Sequence, residues 1–355
     1  MNEELLTLIH KMNDTFKREN KSYEIFDSEN IMVEKKSLCH CDRKECHYCG
    51  GEKINKNGKT KQGRQRYICK ECGKSFSDMT GSPLSYTKKP VDKWIKYTLC
   101  IKAGFSLRKI AEILEINLTT SFHWRHKILS VAGTKIMNKK LSGTIEIDEV
   151  GIKESFKGNH RLNKKFSIVK SDKDKYIQNN EVFEREKIMI LNCKDTSDNK
   201  FIKPVAKRNI NLESLENFLK PILKEDCNCL ATPSNYKYYY FTKAYGLKLS
   251  MHGAINLFKG ITTNISGIDN KIATQRGKAF KLFLRSFHNV ASKYLGFYIN
   301  WFVMFIVEDN QGLSLFRKFV KGKKQLRVED FKKVNFRGDI LRNKRADERL
   351  VFKIS

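Results

Sequence analysis

Two cysteine pairs, Cys46-x2-Cys49 and Cys69-x2-Cys72 with 19 residues between them, constrain this chain more than any other feature. Each pair sets two thiolates on one tight turn. Two such turns facing each other close a tetrahedral shell with no open position, the arrangement of a structural zinc site. Gly50, Gly51 and Gly73 follow the second cysteine of each pair, where a knuckle turn calls for positive φ. From Cys39 to about Met79 the chain is rich in Cys, Gly and Lys and too poor in apolar residues to bury a core of its own. Zn2+ binding, worth roughly 10 to 16 kcal/mol in such sites, supplies the missing staple. The competing reading is a coincidence of free thiols. Cys39 and Cys41 read as non-ligand thiols, because the four later cysteines already complete the shell.

The length of 355 residues admits two to three domains. The 69 Lys and Arg exceed the 39 Asp and Glu by 30, an excess spread along the chain, so the expected partner is a polyanion. The longest apolar run, Trp301 to Val307, is far short of the roughly 20 residues that span a bilayer. The N-terminus, with Glu3, Glu4 and His10, has no uninterrupted apolar core of a signal peptide. A soluble, cytoplasmic protein is expected, whose ten cysteines sit in a reducing compartment where closely spaced pairs serve metals before disulfides.

Residues 1–38 offer a short helical stripe of Leu5, Leu6, Ile9 and Phe16 and no chemistry. Beyond the cysteine segment, Ser106 caps a helix with Leu107, Ile110, Ala111 and Leu114 on one face. After a break at Glu115 to Leu118 a second stripe follows, Trp124, Ile128, Val131 and Ala132, which leaves Thr119, His123 and Lys127 on another face. That is a helix-turn-helix pattern. Arg108, Lys109, Arg125, His126 and Lys127 surround Thr119, Thr120, Ser121 and His123, which suits phosphate contact around a helix in the major groove. A helical hairpin linking two domains is the bland alternative. With no carboxylate or cysteine nearby, His123 and His126 read as solvent-facing rather than as ligands.

Past Gly143 short β runs appear, Thr144 to Val150, Lys187 to Asn192, Phe201 to Ala206 and Cys229 to Thr232. Helical stripes interleave: Leu212, Leu215, Leu219 and Ile222, capped by Asn211, and Ala291, Tyr294, Leu295, Tyr298, Phe302 and Phe305. This predicts an α/β domain. The polar, lysine-rich stretch between Lys153 and Lys187 reads as a long loop or hairpin insertion. In Thr144 to Val150, Ile145 and Ile147 take one face and Glu146 and Asp148 the other. Two readings of those carboxylates stand side by side: a divalent-cation site, or the charged outer face of an edge strand. The cluster Tyr236, Tyr238, Tyr239, Tyr240 and Phe241 suits either a helix packed on the sheet or an aromatic platform for bases, the latter in a zinc-ribbon protein that binds RNA.

Taken together, four stretches resemble bacterial insertion-sequence transposases with an N-terminal zinc ribbon, a helix-turn-helix and a DDE-type, ribonuclease-H-like domain. The group is insertion-sequence family fifteen ninety-five, the ISXO-two-like transposases. The resemblance runs from about Cys46 to Phe305. It is carried by Arg66 to Leu84 around the second cysteine pair, by Leu107 to Leu129, by Glu146-Ile147-Asp148-Glu149, and by Phe283 to Leu295. It implies an α/β multidomain chain: a helical segment over 1–38, a zinc ribbon over 39–84, a helix-turn-helix domain over 85–140, a ribonuclease-H-like mixed sheet flanked by helices over 141–310, and a basic tail over 311–355. It further implies Mg2+ or Mn2+ as catalytic ions, double-stranded DNA as partner at the element's ends and at the target, a homodimer or higher oligomer on that DNA, and a nucleoid location.

Enzymes of this kind use three side chains, two aspartates and a third Asn, Glu or His, to hold two divalent ions for phosphodiester cleavage and strand transfer. The resemblance puts Asp148 in the first role. The second aspartate belongs in a Thr-Asp or Ser-Asp step after the strand Cys229 to Thr232, and here the step is Thr232-Pro233. The third position aligns with Thr274 and Gly277, with Asp269 and Asn270 as the nearby substitutes. The expectation is therefore a transposase-family DNA-binding protein with a degenerate catalytic triad. Its alternatives are a transposase still active through another ligand, and a catalytically inactive derivative that regulates or competes at the same ends.

Overall fold

The structure, a computed structural model, describes residues 44–132 except 62 and 86, 140–156, 166–169, 175–178, 181–252 except 234, 268–304 except 288 and 289, and 316, 319 and 320. Expectations for residues 1–38, for Cys39 and Cys41, for Phe305 and for most of the basic tail lie outside these. The protein is mixed α/β, with a five-stranded mixed sheet and seven α-helices among the described residues. Two compact units emerge among the described residues, one of 44–132 with 304, 316, 319 and 320, the other of those between 140 and 303.

In the first unit, β1 (Ile54–Lys59), β2 (Gln65–Cys69) and β3 (Ser75–Ser77) form a small antiparallel sheet. Its core is Cys46, Tyr67, Cys69 and Phe76, with Ile54 and Cys72 packed against them. Half of that core is cysteine, in keeping with a segment too apolar-poor to hold itself together. A buried ion pair, Arg64 to Asp78 at 2.6 Å, ties the hairpin to the following turn.

Three helices follow. The first, α1 (Val91–Lys102), is additional to the expected pair, and its Val91, Trp94, Ile95, Thr98 and Ile101 make a buried stripe at helical spacing. The expected pair is present as α2 (Leu107–Ile113) and α3 (Leu118–Ala132). The Ser106 hydroxyl accepts from the Lys109 N–H at 3.2 Å, and Asn117 Oδ1 accepts from the Thr119 N–H at 2.8 Å, so each helix starts on a side-chain cap. Between them Glu115 adopts φ +50°, and the Ile116 N–H reaches back to the Ala111 carbonyl, a Schellman closure with a non-glycine residue in the left-handed position. Trp94 stacks on Trp124 at 3.7 Å and holds α1 against α3.

The second unit is built on β4 (Thr144–Lys153), whose Ile145 and Ile147 are fully buried, as their alternation predicts. It pairs antiparallel with β8 (Lys187–Asp195), which pairs antiparallel with β9 (Lys200–Lys207). On its other side β4 runs parallel to β10 (Cys229–Pro233), and β10 parallel to β11 (Lys248–His252), a strand the sequence reading left out. The order β11-β10-β4-β8-β9 puts β4 at the centre and is compatible with a ribonuclease-H-like fold. One face carries the main core, where Ile145, Ile147, Leu191 and Leu230 meet α4 (Leu212–Leu219) and α5 (Tyr236–Tyr245). Asn211 caps α4 through the Ser214 N–H, as expected. The opposite face meets α6 (Lys271–Arg285), a helix beyond those expected, and α7 (Leu295–Phe302) completes the unit. Of the two readings of the lysine-rich stretch, strands replace the long loop: β5 (Phe166–Ile168), β6 (Lys175–Gln178) and β7 (Glu181–Glu184) make a separate antiparallel sheet.

Candidate functional site

The two cysteine turns repeat each other. The Tyr48 N–H donates to Cys46 Sγ and the Glu71 N–H to Cys69 Sγ, both at 3.4 Å. The Gly50 N–H bonds the Cys46 carbonyl and the Gly73 N–H the Cys69 carbonyl, both at 3.0 Å, with φ of +76° and +69° at the two glycines. Gly51 does not share that backbone. A β-carbon there would meet only the exposed end of the Glu71 side chain. The turns bring Cys46 Sγ to 3.7 Å from Cys72 Sγ and Cys49 Sγ to 3.6 Å from Cys69 Sγ, with all four sulfurs within 4.8 Å of one another. Sulfurs at the corners of a tetrahedron with metal–sulfur bonds of about 2.3 Å stand about 3.8 Å apart. Cys46, Cys49, Cys69 and Cys72 thus form a cluster able to hold a metal ion such as zinc, and donor set and spacing both fit.

On α2 and α3 the predicted nucleic-acid contacts separate. Arg108 and Thr119 are exposed, and Thr120 and His123 are partly so. Lys127 is half-buried over the Trp94 ring, 5.8 Å from its centroid, and burial pushes its pKa down to about 8. Arg125 corrects the expectation of an exposed basic face. It is 1% exposed and donates from Nη2 to the Phe105 carbonyl at 2.5 Å, tying α3 to the loop before α2. The helical period explains the correction: Arg125 follows Trp124 into the core rather than lying beside His123. His126 is likewise buried rather than solvent-facing, its Nδ1 2.8 Å from the Phe122 carbonyl.

At the centre of the sheet, Asp148 is half-buried on the face covered by α6. The Thr274 hydroxyl donates to Asp148 Oδ1 at 3.4 Å, and a β-carbon at Gly277 would run into Asp148 Oδ2 and the Val150 side chain. Burial raises the Asp148 pKa, opposed by the Thr274 hydrogen bond. The β4–β10 register runs Cys229↔Thr144, Leu230↔Ile145, Ala231↔Glu146; continued two residues, it sets Pro233 level with Asp148 on the same face. Glu149 belongs to the other face, where it accepts from the Tyr238 hydroxyl and from Lys237 Nζ, each at 2.7 Å. Glu146 is occupied at the start of α6, accepting from the Ala273 N–H at 3.0 Å.

The two substitute residues, at the start of α6, are engaged by backbone groups. Asn270 donates to the Ile147 carbonyl at 3.1 Å, and Asp269 accepts from the Lys271 N–H at 3.0 Å. Below them Arg276 is 3% exposed and donates to the Cys193 carbonyl at 3.1 Å. Burial lowers its pKa to about 10, while Cys193, Glu146, Asp198 and Asp148 favour its charge. The described contacts of Asp148 are the Thr274 hydroxyl and the Gly277 backbone, with the buried Arg276 cation in its field. A pair of divalent ions needs several oxygen donors converging on one point, and this set does not fit them.

Over 118 residues, 33% of this chain, the sequence is 28% identical to a protein of Halobacterium salinarum described as "Uncharacterized protein in transposable element ISH50". The match spans 39% of that relative's length. No known protein-family model matches the chain, and no solved structure does. Among the described residues no helix is long and apolar enough to cross a membrane.

Proposed function

We propose that this chain is a transposase-related DNA-binding protein of an insertion sequence, built as a zinc ribbon, a helix-turn-helix and a ribonuclease-H-like domain whose metal-dependent cleavage has been lost. The observation that carries the reading is the place of Pro233. The five-stranded sheet is compatible with the nuclease scaffold, with Asp148 on its central strand. The neighbouring parallel strand ends at Pro233, which has no side-chain oxygen, and we read that residue as standing where the second ligand belongs. Similarity to a protein of a transposable element supports the lineage. The net charge of +30 supports the polyanionic partner.

In this reading Zn2+ on Cys46, Cys49, Cys69 and Cys72 is structural. Arg108, Thr119, Thr120 and His123 are the surface that meets duplex DNA, and Arg125 positions α3 from within. The protein acts by occupying the ends of its element, as a regulator or competitor, in dimeric or larger assemblies. A mobility-shift titration with duplex from the DNA flanking the gene tests this. Specific binding that weakens steeply between about 50 and 200 mM salt is expected. Equal affinity for flanking and random duplex would remove the claim of recognition.

A further inference from the structure

The tyrosine-rich helix α5 divides cleanly. Tyr238 and Phe241 are fully buried in the main core. The Tyr238 hydroxyl and the Lys237 ammonium both clamp Glu149 on β4. These contacts fix the rotation of the helix, and the residues a turn apart on its outer side are then Tyr236, 65% exposed, and Tyr240, 54% exposed. Their rings stand edge to face at 6.3 Å, and Tyr239 supports Tyr240 at 5.4 Å. Lys243 continues the same stripe and is exposed. The helix contains no acid, and its other lysine is neutralised by Glu149.

Nothing in the fold asks for aromatic rings on this surface, where straight-chain residues form helix better. Exposed rings on a helix face that also carries a cation are what unpaired bases stack on. Every base has a π-face, and the phosphates between the bases want positive charge. A surface meant only for duplex backbone would carry Lys and Arg and no rings. The helix also starts three residues after Pro233, at the carboxyl edge of β10, the edge where ligands of open α/β sheets gather.

We infer that Tyr236 and Tyr240, with Lys243, form a stacking platform for single-stranded DNA, on an element other than the helices that meet the duplex. The inference rests on the transposase-related reading for the choice of DNA as polymer. The test uses the full-length, zinc-loaded chain and fluorescence anisotropy with labelled (dT)20, (rU)20 and a 20-base-pair duplex near 0.15 M salt. Replacing both tyrosines by alanine (Tyr236→Ala, Tyr240→Ala) should weaken (dT)20 binding by about tenfold or more, on the scale of one or two lost base stacks. The double phenylalanine variant should stay within about twofold of the parent, since the rings remain, and duplex affinity should not move in either. Unchanged (dT)20 affinity, equal loss on single strand and duplex, or no single-strand binding by the parent overturns the platform. Tighter tyrosine-dependent binding of (rU)20 overturns the choice of DNA. Loss of duplex binding alone, with the single-strand result intact, overturns the duplex-recognition reading and leaves the platform standing.

Discussion

Gly277 lies so close against Asp148 that a single added methyl group would strike the carboxylate. The position that the transposase resemblance assigns to a third ligand is thus closed by contact rather than merely vacated. An alanine in mid-helix gains up to about 1 kcal/mol over glycine, whereas overpacking costs about 1 to 3 kcal/mol. We expect Gly277→Ala to destabilise the parent chain, and to do so by at least about 1 kcal/mol less in an Asp148→Ala background. Thermal denaturation of the four proteins measures the coupling; additive effects would contradict the contact.

Asp148 also sets a pH dependence. Its pKa is raised in the folded chain by burial, above the ordinary value of 3.8. The folded state then holds more protons than the unfolded state between those two values. Stability from this group is present at low pH and is lost as pH rises through the folded pKa. Asp148→Asn should therefore be more stable than the parent at pH 7, with the advantage shrinking toward pH 4. A variant less stable at pH 7 would show that the carboxylate is held by favourable charge instead.

The cysteine cluster predicts one zinc ion per chain by elemental analysis, and Cys49→Ser should bring that to near zero. Because zinc binding of roughly 10 to 16 kcal/mol far exceeds what a core of two cysteines, Tyr67 and Phe76 supplies, chelation should unfold β1–β3. Amide exchange of Tyr67 and Ile68 reads this out directly. Protection that survives zinc removal would mean the small sheet stands without metal.

Arg108 and Arg125 should behave oppositely. Arg108 is exposed, so Arg108→Ala should leave the melting temperature unchanged and lower the salt slope of DNA binding by about 1. Arg125 donates to the Phe105 carbonyl from within the helical unit, so Arg125→Ala should cost about 1.5 to 3 kcal/mol of stability, with any binding defect following from unfolding. Reversed phenotypes would restore Arg125 to the DNA surface.

Much of this was legible in the sequence, and the reason is periodicity and spacing. Cys46 to Cys72 announced their turns, Ser106 and Asn211 their helices, and Ile145 and Ile147 the central strand. What escaped needed partners distant in the chain. Arg125 looks like a surface residue until Phe105 is placed beside it. Helix α6 carries a buried stripe of Ala273, Phe280, Phe283 and Leu284, interrupted by Arg276, which looks like a surface residue until the Cys193 carbonyl is placed beside it. The outward turn of Tyr236 and Tyr240 depends on Glu149 holding their neighbours.

The central claim, that the scaffold binds DNA without cutting it, is tested most directly by incubating end-labelled duplex from the gene's flanks with the zinc-loaded chain in Mg2+ or Mn2+. With Pro233, which offers no side-chain oxygen, ending the strand beside β4 and Arg276 buried in the field of Asp148, we expect a specific complex and no cleavage. Pro233→Asp is expected to restore at most partial cutting, because Thr274 and Gly277 remain. Efficient cleavage by the unaltered chain, abolished by Asp148→Ala, would contradict the account and show that another side chain supplies the missing ligand, Asp269 or Asn270 first among them.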